Sequence, residues 1–136
     1  MNELPFELTG TVARGKQLGT KLGFPTANIL YSPESQSWPK EGVYVGVARI
    51  MGENNSYVAI LNQGRHPTSP EGVPTVEAHL LHFPSRPLYG KTLNLSYRFF
   101  LRPEQTFPSL EALQQQLSMD LQQAVRWAEQ NEPSLL

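Results

Sequence analysis

Three side chains stand where phosphate chemistry would need oxygens. Thr26 and Asn28 lie two residues apart in the run Phe24-Pro25-Thr26-Ala27-Asn28. In an extended segment, residues two apart project from the same side. Both offer neutral oxygens. Mg2+ takes hard oxygen ligands and keeps several waters and substrate phosphates in its shell, so two such oxygens beside a nucleotide would suffice. The alternative is that they hydrogen-bond a turn, a common use of both types. Glu77 is the third. In Thr75 to His82, alternation sets Val76, Ala78 and Leu80 on one face and Glu77 with His79 on the other. One carboxylate can take the proton of an attacking alcohol. A lone strand glutamate is otherwise expected in solvent.

Gly15, Gly19 and Gly23 fall four apart just before Thr26. Glycine loses the most backbone entropy on folding, so such a stretch suggests a close approach of backbone to something. Bare backbone N–H groups can face phosphate; a turn-rich loop is the alternative. The spacing matches neither the Gly-x-x-x-x-Gly-Lys-Ser/Thr loop nor the Gly-x-Gly-x-x-Gly fingerprint. His79 and His82 are three apart and face opposite sides of a strand, a poor metal pair. His66 lies in a loop, and no Ser-His-Asp order or carboxylate pair stands out.

The elements that must position these groups fit one domain of 136 residues, with no internal repeat or linker. There is no cysteine, so disulfides and thiolate metal sites are excluded. That suits a reducing cytoplasm, the expected location. The N-terminus lacks the basic and apolar regions of a signal peptide, and no stretch reaches the roughly 18 apolar residues of a membrane span. The formal net charge is −1, which disfavours a nucleic-acid binder.

Twelve prolines argue against a mostly helical fold. Strands are expected at Phe6 to Ala13, Thr26 to Tyr31, Val43 to Ile50, Tyr57 to Leu61, Thr75 to His82 and Leu93 to Phe99. The third and fourth form a hairpin through Gly52-Glu53-Asn54-Asn55-Ser56. In the last, Leu93, Leu95, Tyr97 and Phe99 share one face. Six short strands suggest a closed or nearly closed antiparallel barrel. Leu110, Leu113, Leu117, Leu121, Ala124, Val125 and Ala128 then follow helical spacing. This predicts one amphipathic helix near residues 109 to 131, capped by Ser109, ended by Pro133 and laid against the barrel. The longest loops are expected at 32 to 41 and 63 to 74.

Five stretches together resemble the riboflavin kinase (flavokinase) family, including the kinase part of bacterial riboflavin kinase/FAD synthetases. They are GTVARGKQLGTKLGFPTANI (10 to 29), GVYVGVA (42 to 48), NQGRHPT (62 to 68), VEAHLLHF with LYGKTLNL (76 to 95), and FLRPEQTFPSLEAL (100 to 113). The resemblance implies a mainly β fold, a six-stranded antiparallel Greek-key barrel with a long C-terminal helix. It implies ATP-dependent phosphorylation of riboflavin to FMN. It places Gly15, Lys16, Gly19, Lys21 and Gly23, in a loop that closes over ATP, at the nucleotide, together with Tyr89. Thr26 and Asn28 hold the phosphates and a divalent ion, Mg2+ with Zn2+ or Mn2+ as alternatives. Glu77 is the base for the 5′-hydroxyl. Arg102, Glu104 and Phe107 lie at the flavin, where Leu101 and Leu110 could also help hold the ring, with core packing the expected role for Leu110.

His82 stands where many bacterial members carry Asp, and Gln63 where an apolar residue is common. The resemblance covers the kinase part alone, so FAD synthesis is not expected of these residues. Expected partners are riboflavin and ATP, with no nucleic acid and no membrane, and the domain is expected to be a monomer unless joined to a larger bifunctional chain. A flavin-binding module without turnover is the alternative function.

Overall fold

The computed structural model describes residues 4–13, 26–30, 38–64, 75–84 and 86–136; for Thr26 it describes the backbone. Strand sequences alternate β-branched and aromatic residues with small or polar ones. They form β1 (Phe6–Ala13), β2 (Thr26–Leu30), β3 (Gly42–Ile50), β4 (Ser56–Gly64), β5 (Thr75–Leu80) and β6 (Thr92–Arg102). They close into a barrel in the order β1-β2-β5-β4-β3-β6, with every neighbouring pair antiparallel. β3, β4 and β5 are a meander, and β2 returns beside β5, which is Greek-key connectivity. Closure removes the open strand edges that would otherwise invite pairing with other chains.

Leu8, Val12, Ala27, Ile29, Tyr44, Ala48, Ile50, Ala59, Leu61, Val76, Ala78, Leu80, Leu93, Leu95 and Tyr97 fill the interior. A second core lies outside the barrel, where Val43, Val45, Val58, Ile60 and Leu81 meet Ala124 and Ala128 of the helix α1 (Leu110–Asn131). β3 is therefore buried on both faces, which explains its nearly unbroken apolar run. The Ser109 side chain accepts from the Ala112 N–H, and Glu132 caps the far end before a short 3-10 turn at Pro133–Leu135. Leu110, expected in the core, is 58% exposed. The apolar stripe of α1 meets the barrel through Leu117, Leu121, Ala124, Val125 and Ala128, and its first residue is left outside that contact.

The alternation expected in β6 breaks after Tyr97. Gly46 pairs with Tyr97 and Val45 with Phe99, so Arg98 is an extra residue in the ladder. A bulge shifts the side-chain sequence by one. Phe99 is thereby turned to the exposed side, and Phe100 packs against the interior with Tyr44, ring centroids 5.2 Å apart. Gly46 makes the bulge possible: a Cβ there would collide with the Ser96 carbonyl oxygen.

One end of the barrel is closed by Trp38, Pro39 and Lys40. Buried Gln63 donates to the Pro39 carbonyl at 2.8 Å and accepts from the Tyr97 hydroxyl at 2.7 Å. Its unusual polarity is thus satisfied, as an interior polar group requires. Tyr44 donates to the Lys40 carbonyl at 2.6 Å, and burial pushes its phenol pKa upward. Gln63 and Gly64 belong to β4 rather than to the expected 63–74 loop; residues 65–74 and 31–37 lie outside those described.

Candidate active site

β2, β5 and β4 lie side by side, and their register decides which polar side chains meet. Asn28 is opposite Glu77, and Glu77 is opposite Asn62. Directly opposed residues of an antiparallel pair share a face, with Cβ atoms about 4.5–5.5 Å apart. Ile29, Val76 and Leu61 point into the barrel core. Asn28, Glu77 and Asn62 therefore form one row on the outer face. The row continues through Val43 to Arg102, opposite each other on β3 and β6.

This outer face is not washed by solvent. Asn28 is 5%, Glu77 9% and His79 7% exposed. The solvated strand glutamate is thereby excluded: Glu77 is a buried carboxylate on the face away from the barrel core. Asn28 Nδ2 and Asn62 Oδ1, on either side of it, are buried with no hydrogen-bond partner among the described residues. Buried amide atoms nearly always have partners, and those that do not commonly mark a functional site. The backbone of Thr26 pairs with His79, two residues along β2 from Asn28. His82 is not in the strand. It is exposed in the turn after β5, with φ of 60°.

At the other end of the row, Arg102 is tied to α1. Its Nε donates to Asp120 Oδ1 at 3.0 Å and its Nη2 to Oδ2 at 2.7 Å. Gln116 Nε2 donates to the same Oδ1 at 2.9 Å, and Asp120 is 2% exposed. Two parallel bonds to a buried carboxylate fix the guanidinium plane. Arg102 Nη1 also donates to the Pro103 carbonyl at 3.2 Å, and the Phe107 ring centre lies 6.0 Å from the guanidinium carbon. The Glu104 carboxylate packs against Gly64, whose φ of +149° no side chain adopts readily, and a Cβ there would occupy the place of Oε1. Arg102, Glu104 and Phe107 are thus gathered at one end of the row.

Tyr89 lies in an exposed turn closed by the Lys91 N–H on the Leu88 carbonyl at 3.0 Å. That turn is joined to β1 by the Gly90 N–H on the Val12 carbonyl at 3.1 Å, one residue before Ala13, the partner of Asn28. Tyr89 is therefore on the Asn28 side. Gly15, Lys16, Gly19, Lys21 and Gly23 lie outside the described residues.

Sequence reasoning passed over Asn62, Asp120 and Gln116. Asn62 follows Val58 and Ile60 on the outward face of β4, an apolar series ended by an amide. Asp120 interrupts the apolar stripe of α1, between Leu117 and Ala124. A lone acid on such a stripe signals a buried partner.

Among the described residues, no cluster of three His, Asp or Glu side chains forms a metal cage. Mg2+ needs no such cage where waters and substrate phosphates fill most of its shell, and the Asn28 amide oxygen is a donor of the hard type it takes. No described helix is long and apolar enough to cross a membrane.

The Flavokinase family model, described as riboflavin kinase, matches residues 2–128. The mouse riboflavin kinase is 34% identical over 130 residues, covering 91% of this chain and 81% of the mouse protein. An RNA-binding riboflavin kinase of Bacillus subtilis is 36% identical over 115 residues, covering 84% of this chain and 47% of that protein. The crystal structure of riboflavin kinase from Trypanosoma brucei superposes with a TM-score of 0.66 at 28% identity, over 99% of this chain and 85% of that one. The chain spans about half the length of the Bacillus protein that it matches, and the fold and relatives together define a riboflavin kinase-like domain. The chain belongs to the riboflavin kinase (flavokinase) family.

Proposed function

We propose that this domain transfers the γ-phosphoryl group of ATP to the 5′-hydroxyl of riboflavin, giving FMN and ADP, with Glu77 as general base. The observation that carries the assignment of the base is the placement of Glu77, a buried carboxylate on the outer face between two buried amide atoms without partners. As the 5′-oxygen bonds to the γ-phosphorus, the bond to the β-γ bridging oxygen breaks. ADP leaves with those electrons, and the hydroxyl proton passes to Glu77. Phosphoryl transfer depends mainly on positioning and charge neutralisation, so one carboxylate is enough protein chemistry.

The remaining roles follow the order of strands. Asn28 and Thr26 on β2 face the nucleotide, with Tyr89 and the Gly15, Lys16, Gly19, Lys21 and Gly23 loop on that side. Asn28 Nδ2 would donate to a phosphate oxygen, and the neutral oxygens of Asn28 and Thr26 would hold Mg2+. When bound, the ion neutralises charge on the β- and γ-phosphates. Arg102, Glu104 and Phe107 take the flavin at the opposite end, Arg102 held in plane by Asp120. The domain is proposed to act as a monomer unless joined to a larger bifunctional chain. The lack of cysteine suits a reducing compartment such as the cytoplasm.

Incubation with riboflavin, ATP and Mg2+ followed by chromatography tests the activity. FMN well above the enzyme-free control is expected. Flavin binding without FMN would favour a module that no longer turns over.

A further inference from the structure

We infer that Asn62 reads the ribityl chain of the flavin substrate, accepting a hydrogen bond on Oδ1 from a hydroxyl other than the 5′-OH. The inference rests on the reading of Glu77 as the group at the 5′-oxygen. Asn62 Oδ1 is buried without a hydrogen-bond partner among the described residues. Its in-row neighbour Glu77 makes no hydrogen bond to that oxygen. On its other side the row offers Val43, which has no side-chain donor. The partner assigned to it here is a donor brought by a ligand.

Position selects which ligand. Around the barrel the row runs Asn28, Glu77, Asn62, Val43, Arg102. With nucleotide at the Asn28 end and the ring at the Arg102 end, the polyol must leave Glu77 across Asn62. Neighbouring strands are about 4.8 Å apart. A polyol whose terminal oxygen meets Glu77 can bring the hydroxyl one or two carbons back within reach of Asn62. An amide oxygen suits that donor, and an alkyl chain offers it nothing. A site built to hydrogen-bond a hydroxyl rejects the analogue that lacks it, because its own polar atom stays unpaired.

The test compares riboflavin with a flavin bearing a 5-hydroxypentyl chain, which keeps the terminal acceptor hydroxyl and lacks the internal ones. Asn62→Ala should raise the KM for riboflavin about 5- to 10-fold, the worth of one hydrogen bond. The loss should lie in KM rather than kcat, as for an interaction made equally in the ground and transition states. KM for the hydroxypentyl flavin should not move. Asn62→Ser, which retains an acceptor oxygen, should recover part of the discrimination, and a retained thermal midpoint shows that each variant folds. Equal losses on both flavins would overturn the inference. So would an unchanged riboflavin KM, or a variant whose change lies in Mg2+ dependence, which would make Asn62 an ion ligand. The same comparison by quenching of flavin fluorescence at equilibrium needs no turnover. A chain that binds flavin without making FMN would refute the kinase reading, while the ratio of the two dissociation constants would still decide the role of Asn62.

Discussion

At the scale of single residues, the site is a problem of burial and pairing. Asn28 presents beside Glu77 a buried Nδ2 without a hydrogen-bond partner among the described residues. Asn28→Ala removes that donor and one oxygen of the proposed ion shell, so use of MgATP should weaken. The expected signature is a rise in the Mg2+ and ATP concentrations for half-maximal rate, with binding of free riboflavin largely kept. A metal and ATP dependence like that of the unaltered protein would remove Asn28 from the nucleotide side. Tyr44 shows burial acting on pKa. Its phenol is raised above the ordinary value of 10.0 by desolvation. The fold favours the neutral form, so this contribution is fully present below pH 10 and is lost as pH rises through the folded-state value. Tyr44→Phe should flatten the loss of thermal stability above pH 10, at the cost of the hydrogen bond to Lys40 at lower pH, about 1 kcal/mol. An unaltered alkaline limb would show that other groups set it.

At the scale of elements, the tie between β6 and α1 sets the geometry of the end proposed to take the flavin. Asp120 is buried and accepts from Arg102 twice and from Gln116 once. Removing one partner of a buried pair leaves a charge uncompensated, typically a loss of about 3–5 kcal/mol. The Arg102 side chain is 15% exposed, so a value at the low end is expected for Asp120→Ala in denaturant unfolding, with weakened flavin binding. Gly46→Ala should destabilise by about 1–3 kcal/mol, the range for overpacking, because its Cβ meets backbone rather than a movable side chain. The six strands and the helix were legible because alternation and helical spacing are local. The bulge at Arg98 was not: it depends on Gly46 of another strand, and it takes Phe99 off the face it was expected to share with Leu93, Leu95 and Tyr97. Leu110 failed for a similar reason, since helical spacing does not say where the barrel beneath it ends.

For the molecule as a whole, closure of the barrel matters more than any pair. It brings β2 beside β5 and so puts Asn28 opposite Glu77, 49 positions away in sequence, a meeting that no local pattern predicts. Thr26, Asn28 and Glu77 were singled out by residue type and by resemblance to the family. That Glu77 is buried, that Asn62 completes the row and that Asp120 holds Arg102 became visible with register and packing alone. A ligand that binds only the folded state stabilises it by about 2.7 kcal/mol at 100 times its dissociation constant. Adding ADP with Mg2+, and separately FMN, should therefore each raise the thermal midpoint by several degrees for a domain of this size. A midpoint that responds to neither ligand at saturation would contradict a nucleotide and flavin site on this barrel.

The central claim is that Glu77 takes the proton of the 5′-hydroxyl, and the chemical step of Glu77→Gln tests it most directly. The amide is nearly isosteric and far less basic. General-base help is worth about 10²- to 10⁴-fold in rate, or roughly 3–5 kcal/mol of barrier. Rapid-quench measurement of FMN formation in a single turnover isolates that step from product release, which can otherwise mask the loss. The expected result is a fall of that order, with riboflavin and MgATP bound nearly as before. A step slowed by less than about tenfold, with both substrates bound, would show that another group takes the proton.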